Sequence, residues 1–148
     1  SDPVFSLSHE GETGVLAIAR RGRLGVDLVD LRRGEQVLNI ARTWFPAVEQ
    51  QEIDAADDPV AVAVTLWAQK EALAKARGGS INQELGAAVR GRRMQDEAPL
   101  ALIHGRLSPD LLIAIACAAG PGDVPRVSCR VMGNGEAPPA VRWISVLQ

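Results

Sequence analysis

One stretch of this chain announces both of its ends. Asp58-Pro59 offers a capping acceptor followed by a proline at the first helical position, where a missing N–H costs nothing. Gly78-Gly79 supplies the residues that end helices. The pattern between them predicts one long helix, from Pro59 to Arg77, and everything else must pack around it. Its last turns read Trp67-Ala68-Gln69-Lys70-Glu71-Ala72-Leu73-Ala74-Lys75. Leu66, Trp67 and Leu73 are expected in the core. Glu71 and Lys75 are four residues apart and share a face, as a surface-stabilising pair or as a charged site.

On either side of the helices the pattern turns strand-like. Residues 4–8 alternate apolar and polar, residues 14–20 form a short apolar run, and Arg21-Gly22 reads as a turn before a third run at 24–31. Residues 36–45 have helical spacing until Pro46 interrupts it, 47–56 suit a second short helix, and 82–89 a third. A polar connection at 90–97 follows. Four more strands are expected, at 100–104, 111–118, 127–132 and 141–147, with Gly- and Pro-rich turns at 120–125 and 133–139. The fold class this implies is α+β, a mixed or antiparallel sheet with the long helix packed across it. An exposed sheet face would favour self-association or an attached neighbouring domain.

At 148 residues, 47% apolar and 23% charged, the chain suits a single folded domain with a real core. A net charge of -2 creates no field for polyanions, so neither nucleic acid nor an anionic membrane is an expected partner, and any phosphate site must be local. No leader-like segment opens the sequence and no apolar run reaches spanning length. Cys117 and Cys129 allow one disulfide but more often sit reduced in a core of this size. The expected setting is cytoplasmic.

Asp27 lies in an apolar run, Gly25-Val26-Asp27-Leu28-Val29. A buried carboxylate is costly unless paired or metal-bound, so Asp27 either takes backbone N–H bonds at a strand end or ligates a cation. Ser8-His9-Glu10-Gly11 is a turn after a strand or a polar site, and Glu49 is otherwise an ordinary helix acid. The cysteines lack a metal-binding partner at useful spacing. No Gly-rich nucleotide loop, GxSxG elbow or HExxH helix occurs.

Taken in order, four segments resemble the 4′-phosphopantetheinyl transferases. Phe5-Ser6-Leu7-Ser8-His9 is similar to that family's F-N/S-L-S-H segment, Gly25-Val26-Asp27 to its G-I/V-D strand, and Phe45-Pro46-Ala47-Val48-Glu49 to its F-x-x-x-E segment. Trp67 to Lys75 matches W-x-x-K-E-A-x-x-K at every defined position. The resemblance covers about residues 4–120. It implies transfer of the phosphopantetheine arm of coenzyme A to a serine of an acyl or peptidyl carrier protein in fatty acid, polyketide or nonribosomal peptide synthesis. Adenosine 3′,5′-bisphosphate is the other product. By the same resemblance Asp27 and Glu71 bind Mg²⁺, Ser8, His9, Lys70 and Lys75 contact coenzyme A, and Glu71, Lys75 and Glu49 serve catalysis. Glu49 would hold a water or help deprotonate the serine.

Two features depart from that pattern. The longer, surfactin-type branch carries a second acid two residues after the strand Asp, and here that position is Val29. The segment order also belongs to that two-halved branch, yet only the second half and the final strands of the first are present. The chain is therefore expected to be part of a larger protein or to be completed by a second chain. Val29 and the missing half also suit a different role, a degenerate module that binds a carrier or stabilises a synthase without catalysis.

Overall fold

A computed structural model describes residues 2–89 and 100–118 and the backbone of 130–132. The chain is α+β. The elements are β1 (Val4–Glu10), β2 (Thr13–Ala19), β3 (Leu24–Asp30), a 3-10 turn at Leu31–Arg33, α1 (Gly34–Trp44), α2 (Ala47–Ala55), α3 (Pro59–Arg77), α4 (Asn82–Leu85), β4 (Leu100–Ser108), β5 (Leu111–Ala118) and β6 (Arg130–Met132). They form two three-stranded sheets, β1-β2-β6 and β3-β5-β4, and every pairing is antiparallel.

β5 explains why the second sheet is central. Its run Leu111–Ala118 is apolar throughout and buried on both faces, as a strand covered on two sides must be. One face, with Ile113, Ile115 and Cys117, packs with Val26 and Leu28 of β3 against Val15 and Ala17 of the other sheet. The opposite face, with Leu112, Ala114 and Ala116, meets Val64, Ala68, Ala72 and Ala76 of α3. A third cluster joins α3 to α1 and α2 through Leu38, Ala41, Phe45, Ile53, Ala63 and Leu66. Helix α3 is thus enclosed on several sides, and its alanines let neighbours approach closely.

The caps of α3 form as its sequence predicts. The Asp58 carboxylate accepts from Ala61 N–H at 3.0 Å, and Gly78 takes the left-handed conformation at φ 68°. Leu66 and Leu73 are buried, whereas Trp67 is only part-buried.

Three expectations change. The helix expected over 82–89 stops at Leu85. Around and after its end, the Lys70 ammonium takes the carbonyls of Glu84 and Ala87, and the Glu49 carboxylate takes Val89 N–H, so side chains hold groups that a longer helix would need. Trp44 is exposed although its spacing suits the core, because α1 ends there and the chain turns inward at Phe45. The expected strand at 127–132 is seen as β6 over its last three residues. The connection at 90–97, the turns at 120–125 and 133–139, the strand at 141–147 and Cys129 lie outside the described residues. The Cys117 thiol is free and buried.

Candidate functional site

β3 alternates between two faces. Leu24, Val26 and Leu28 enter the core between the sheets, so Gly25, Asp27 and Val29 look toward α3. At Gly25 the helix lies so close that a Cβ would fall 2.0 Å from the Ala72 carbonyl oxygen. That contact sets Glu71 and Lys75, the residues just before Ala72 and Ala76 on α3, at the same cavity as Asp27. Asp27 is not at a strand end: it sits mid-strand opposite Ala114 and is 7% exposed.

A cavity of about 300 Å³ opens where β1, β3 and α3 meet. Ser8, His9, Asp27, Trp67, Glu71 and Lys75 line it, together with Val29, Glu10 and Arg33 at the turn after β3. Lys75 Nζ donates to Asp27 Oδ1 at 3.2 Å, to the Val26 carbonyl at 2.8 Å and to the Leu7 carbonyl at 3.3 Å. Ser8 Oγ donates to Asp27 Oδ1 at 3.3 Å and accepts from Leu28 N–H at 3.0 Å. Arg33 pairs with Glu10 at 2.9 Å.

Burial pushes the Asp27 carboxyl up to about 6. The Lys75 ammonium pulls it down, and the neighbouring Glu71 adds to the rise. Burial raises Glu71 as well, opposed by Lys75. Two carboxylates made less comfortable as anions, in one cavity, with a single lysine between them, suit a divalent cation. Mg²⁺ takes one or two carboxylates and completes its shell with water and phosphate oxygens, so this donor set fits it. Among the described residues no group of three or more His, Cys, Asp or Glu side chains is arranged to hold a metal. Val29 forms part of the wall, and Asp30, on the other face of the strand, does not line it and pairs with Arg32 at 2.7 Å.

Glu49 and Lys70, expected to serve the coenzyme and its chemistry, lie apart from this cavity. Lys70 is fully buried, 2.8 Å from Glu49 Oε2, with its ammonium over the Phe45 ring. Its remaining donors reach the carbonyls of Glu84 and Ala87. Glu49 is 3% exposed and accepts from Val89 N–H at 2.7 Å. Neither lines the cavity. The pair ties α2 and the segment after α4 to the far side of α3. The rotation of about 100° between successive helix residues separates this use of Lys70 from the cavity face of its neighbour Glu71.

Arg33 and Ser6 were not expected near the site. Ser6 carried a readable signal: it is two residues before Ser8 on a strand and so shares its face. Arg33 follows the strand's end in a charged turn, and nothing in its spacing points inward.

The family model described as the 4′-phosphopantetheinyl transferase superfamily matches residues 23–110. The 4′-phosphopantetheinyl transferase AcpT of Salmonella typhimurium is 29% identical over 119 residues, covering 79% of this chain and 58% of that protein. The protein of that name from Escherichia coli K12 is 33% identical over 78 residues, covering 51% of this chain and 40% of its own length. The chain thus spans well under two thirds of the relatives it matches.

Proposed function

Because the chain belongs to the 4′-phosphopantetheinyl transferase superfamily, we propose that it moves the phosphopantetheine arm of coenzyme A to a serine of an acyl or peptidyl carrier protein. What supports this is that Asp27, Glu71, Lys75, Ser8 and His9, from three separate stretches of sequence, line one cavity. Asp27 and Glu71 would hold Mg²⁺, which when bound neutralises charge on the diphosphate. Lys75, Ser8 and His9 contact the coenzyme A phosphates, Lys75 as a point charge that exchanges carbonyl partners for phosphate oxygens.

The carrier serine oxygen attacks the phosphorus that bears the pantetheine arm. A new P–O bond forms as the bond to the bridging diphosphate oxygen breaks, and adenosine 3′,5′-bisphosphate leaves. The serine proton passes to Glu71 or to a water held beside it. Coenzyme A as substrate and the free Cys117 thiol fit a cytoplasmic setting. Beside the cavity, Phe5, Leu7 and Ile18 expose an apolar sheet face that favours a second copy or a neighbouring domain.

Val29 in the cavity wall supports a second role, a module that binds a carrier without modifying it. The deciding experiment mixes the protein with coenzyme A, Mg²⁺ and a panel of apo carrier proteins and reads intact carrier mass. A mass gain that disappears in Asp27→Ala and Glu71→Ala is expected. Carrier binding with no mass gain on any member of the panel would replace transfer by the binding role.

A further inference from the structure

Among the described residues β3 has a backbone ladder on one edge, to β5. Its other edge faces β1, and the two strands belong to different sheets. An unpaired strand edge inside a fold leaves buried N–H and C=O groups that need partners. Here side chains supply them. Ser6 Oγ accepts from Val26 N–H at 3.0 Å and Ser8 Oγ accepts from Leu28 N–H at 3.0 Å. Lys75 Nζ donates to the carbonyls of Val26 on β3 and Leu7 on β1. The sheets meet at a seam of two hydroxyls and an ammonium, and the amides of residues 26 and 28 that it grips flank Asp27.

We propose that Ser6 is a positioning residue for the cation and diphosphate site formed by Asp27, Glu71 and Lys75, an assignment that rests on the function proposed above. Ser8 and Lys75 line the cavity, and each has a second partner to gain when ligand enters. Ser6 is 8% exposed and does not line the cavity. It remains bonded to β3 while the other two exchange partners. It acts through the backbone: with Val26 N–H held, the strand is kept from shifting or rotating, and the Asp27 carboxylate keeps its place in the cavity beside Lys75.

The test compares Ser6→Ala, Ser6→Cys and Ser6→Thr with the unaltered chain. Threonine keeps the hydroxyl and suits a strand, whereas alanine and cysteine remove the strong acceptor, cysteine at nearly constant volume. The primary readout is Mn²⁺ binding in the presence of coenzyme A, measured by water-proton relaxation. Groups behind the ligands typically change metal affinity by about ten- to a hundredfold. Ser6→Ala and Ser6→Cys are expected to weaken Mn²⁺ binding about tenfold, with Ser6→Thr near the unaltered chain. The Mg²⁺ concentration for half-maximal transfer should rise in parallel, with a smaller change in kcat at saturating Mg²⁺.

If the acceptor-free variants lose thermal stability but bind Mn²⁺ normally once folded, Ser6 is structural only and the proposal is overturned. If Ser6→Ala does not fold, Ser6→Cys carries the comparison. An unaltered chain that binds no Mn²⁺ also overturns it. Ser6-dependent Mn²⁺ binding without transfer to any carrier would instead remove the proposed activity and leave the positioning role standing.

Discussion

The backbone of Gly25 touches the backbone of Ala72: a Cβ on the glycine would lie 2.0 Å from the alanine's carbonyl oxygen and 2.6 Å from Ala76 N. The glycine two residues before Asp27 therefore sets how closely α3 can approach β3. Both obstacles are main-chain atoms of a helix buried on several sides, so no side chain can swing aside. Gly25→Ala is expected to destabilise the fold by about 3 kcal/mol, at the upper end of overpacking costs. It should also weaken divalent-cation binding, since the helix carrying Glu71 must retreat from Asp27. Urea unfolding checks the first effect. A variant within about 0.5 kcal/mol of the unaltered chain would show that the contact is not limiting.

Asp27 should make stability depend on pH. Its carboxyl is raised from 3.8 to about 6 by burial, so the fold favours the protonated form. The stabilisation is present in full below pH 4 and is lost as pH rises through 6, to a total on the order of 3 kcal/mol. Asp27→Asn removes the titration. Without divalent cations the variant should match the unaltered chain near pH 4 and exceed its stability by on the order of 2–3 kcal/mol at pH 8. Added Mg²⁺ should narrow the gap at pH 8 by binding the carboxylate. A stability difference that stays constant from pH 4 to 8 would contradict this.

How much of this was legible in the sequence differs between elements for physical reasons. α3 is written in local terms, a cap, a proline and a paired glycine, and it forms as written. Asp27 and Glu71 stand out because a charge inside an apolar strand and an acid between two lysines are locally odd. The partners of Glu49 and Lys70 were hidden, since sequence shows that each is charged but not that they neutralise one another across α2 and α3. The division into two sheets was hidden as well. Period-two alternation marks Ser6 and Ser8 as facing one way, but whether that face meets a ladder or a seam depends on which strand arrives opposite. The end of α4 was misjudged because carbonyls assigned to a helix are taken by a lysine twenty residues upstream or less.

The exposed face of the first sheet makes a prediction about assembly. Phe5 is 69% exposed and Ile18, its cross-strand partner, 62% exposed, with Leu7 beside them. Apolar area of this kind on an edge of the fold drives association. Sedimentation velocity is expected to show dimers or larger species of this chain, shifted toward monomer by Phe5→Ser combined with Ile18→Ser. A chain that is monomeric at tens of micromolar before any substitution would defeat the expectation.

Lys70 and Glu49 give the sharpest contrast between a structural and a ligand-binding role. Removing one member of a buried ion pair leaves the other charge unpaired, which costs about 3–5 kcal/mol, whereas replacing both with apolar residues of similar volume is often close to neutral. Lys70→Met and Glu49→Leu should each destabilise strongly, and the double variant should recover most of the loss. The recovery cannot be complete, because Glu84 and Ala87 lose a donor and Val89 N–H loses its acceptor. If the pair only holds α2 and the 84–89 segment against α3, the double variant should bind coenzyme A within about threefold of the unaltered chain by isothermal titration calorimetry. A folded double variant with coenzyme A affinity reduced by a hundredfold would return Lys70 to the ligand site.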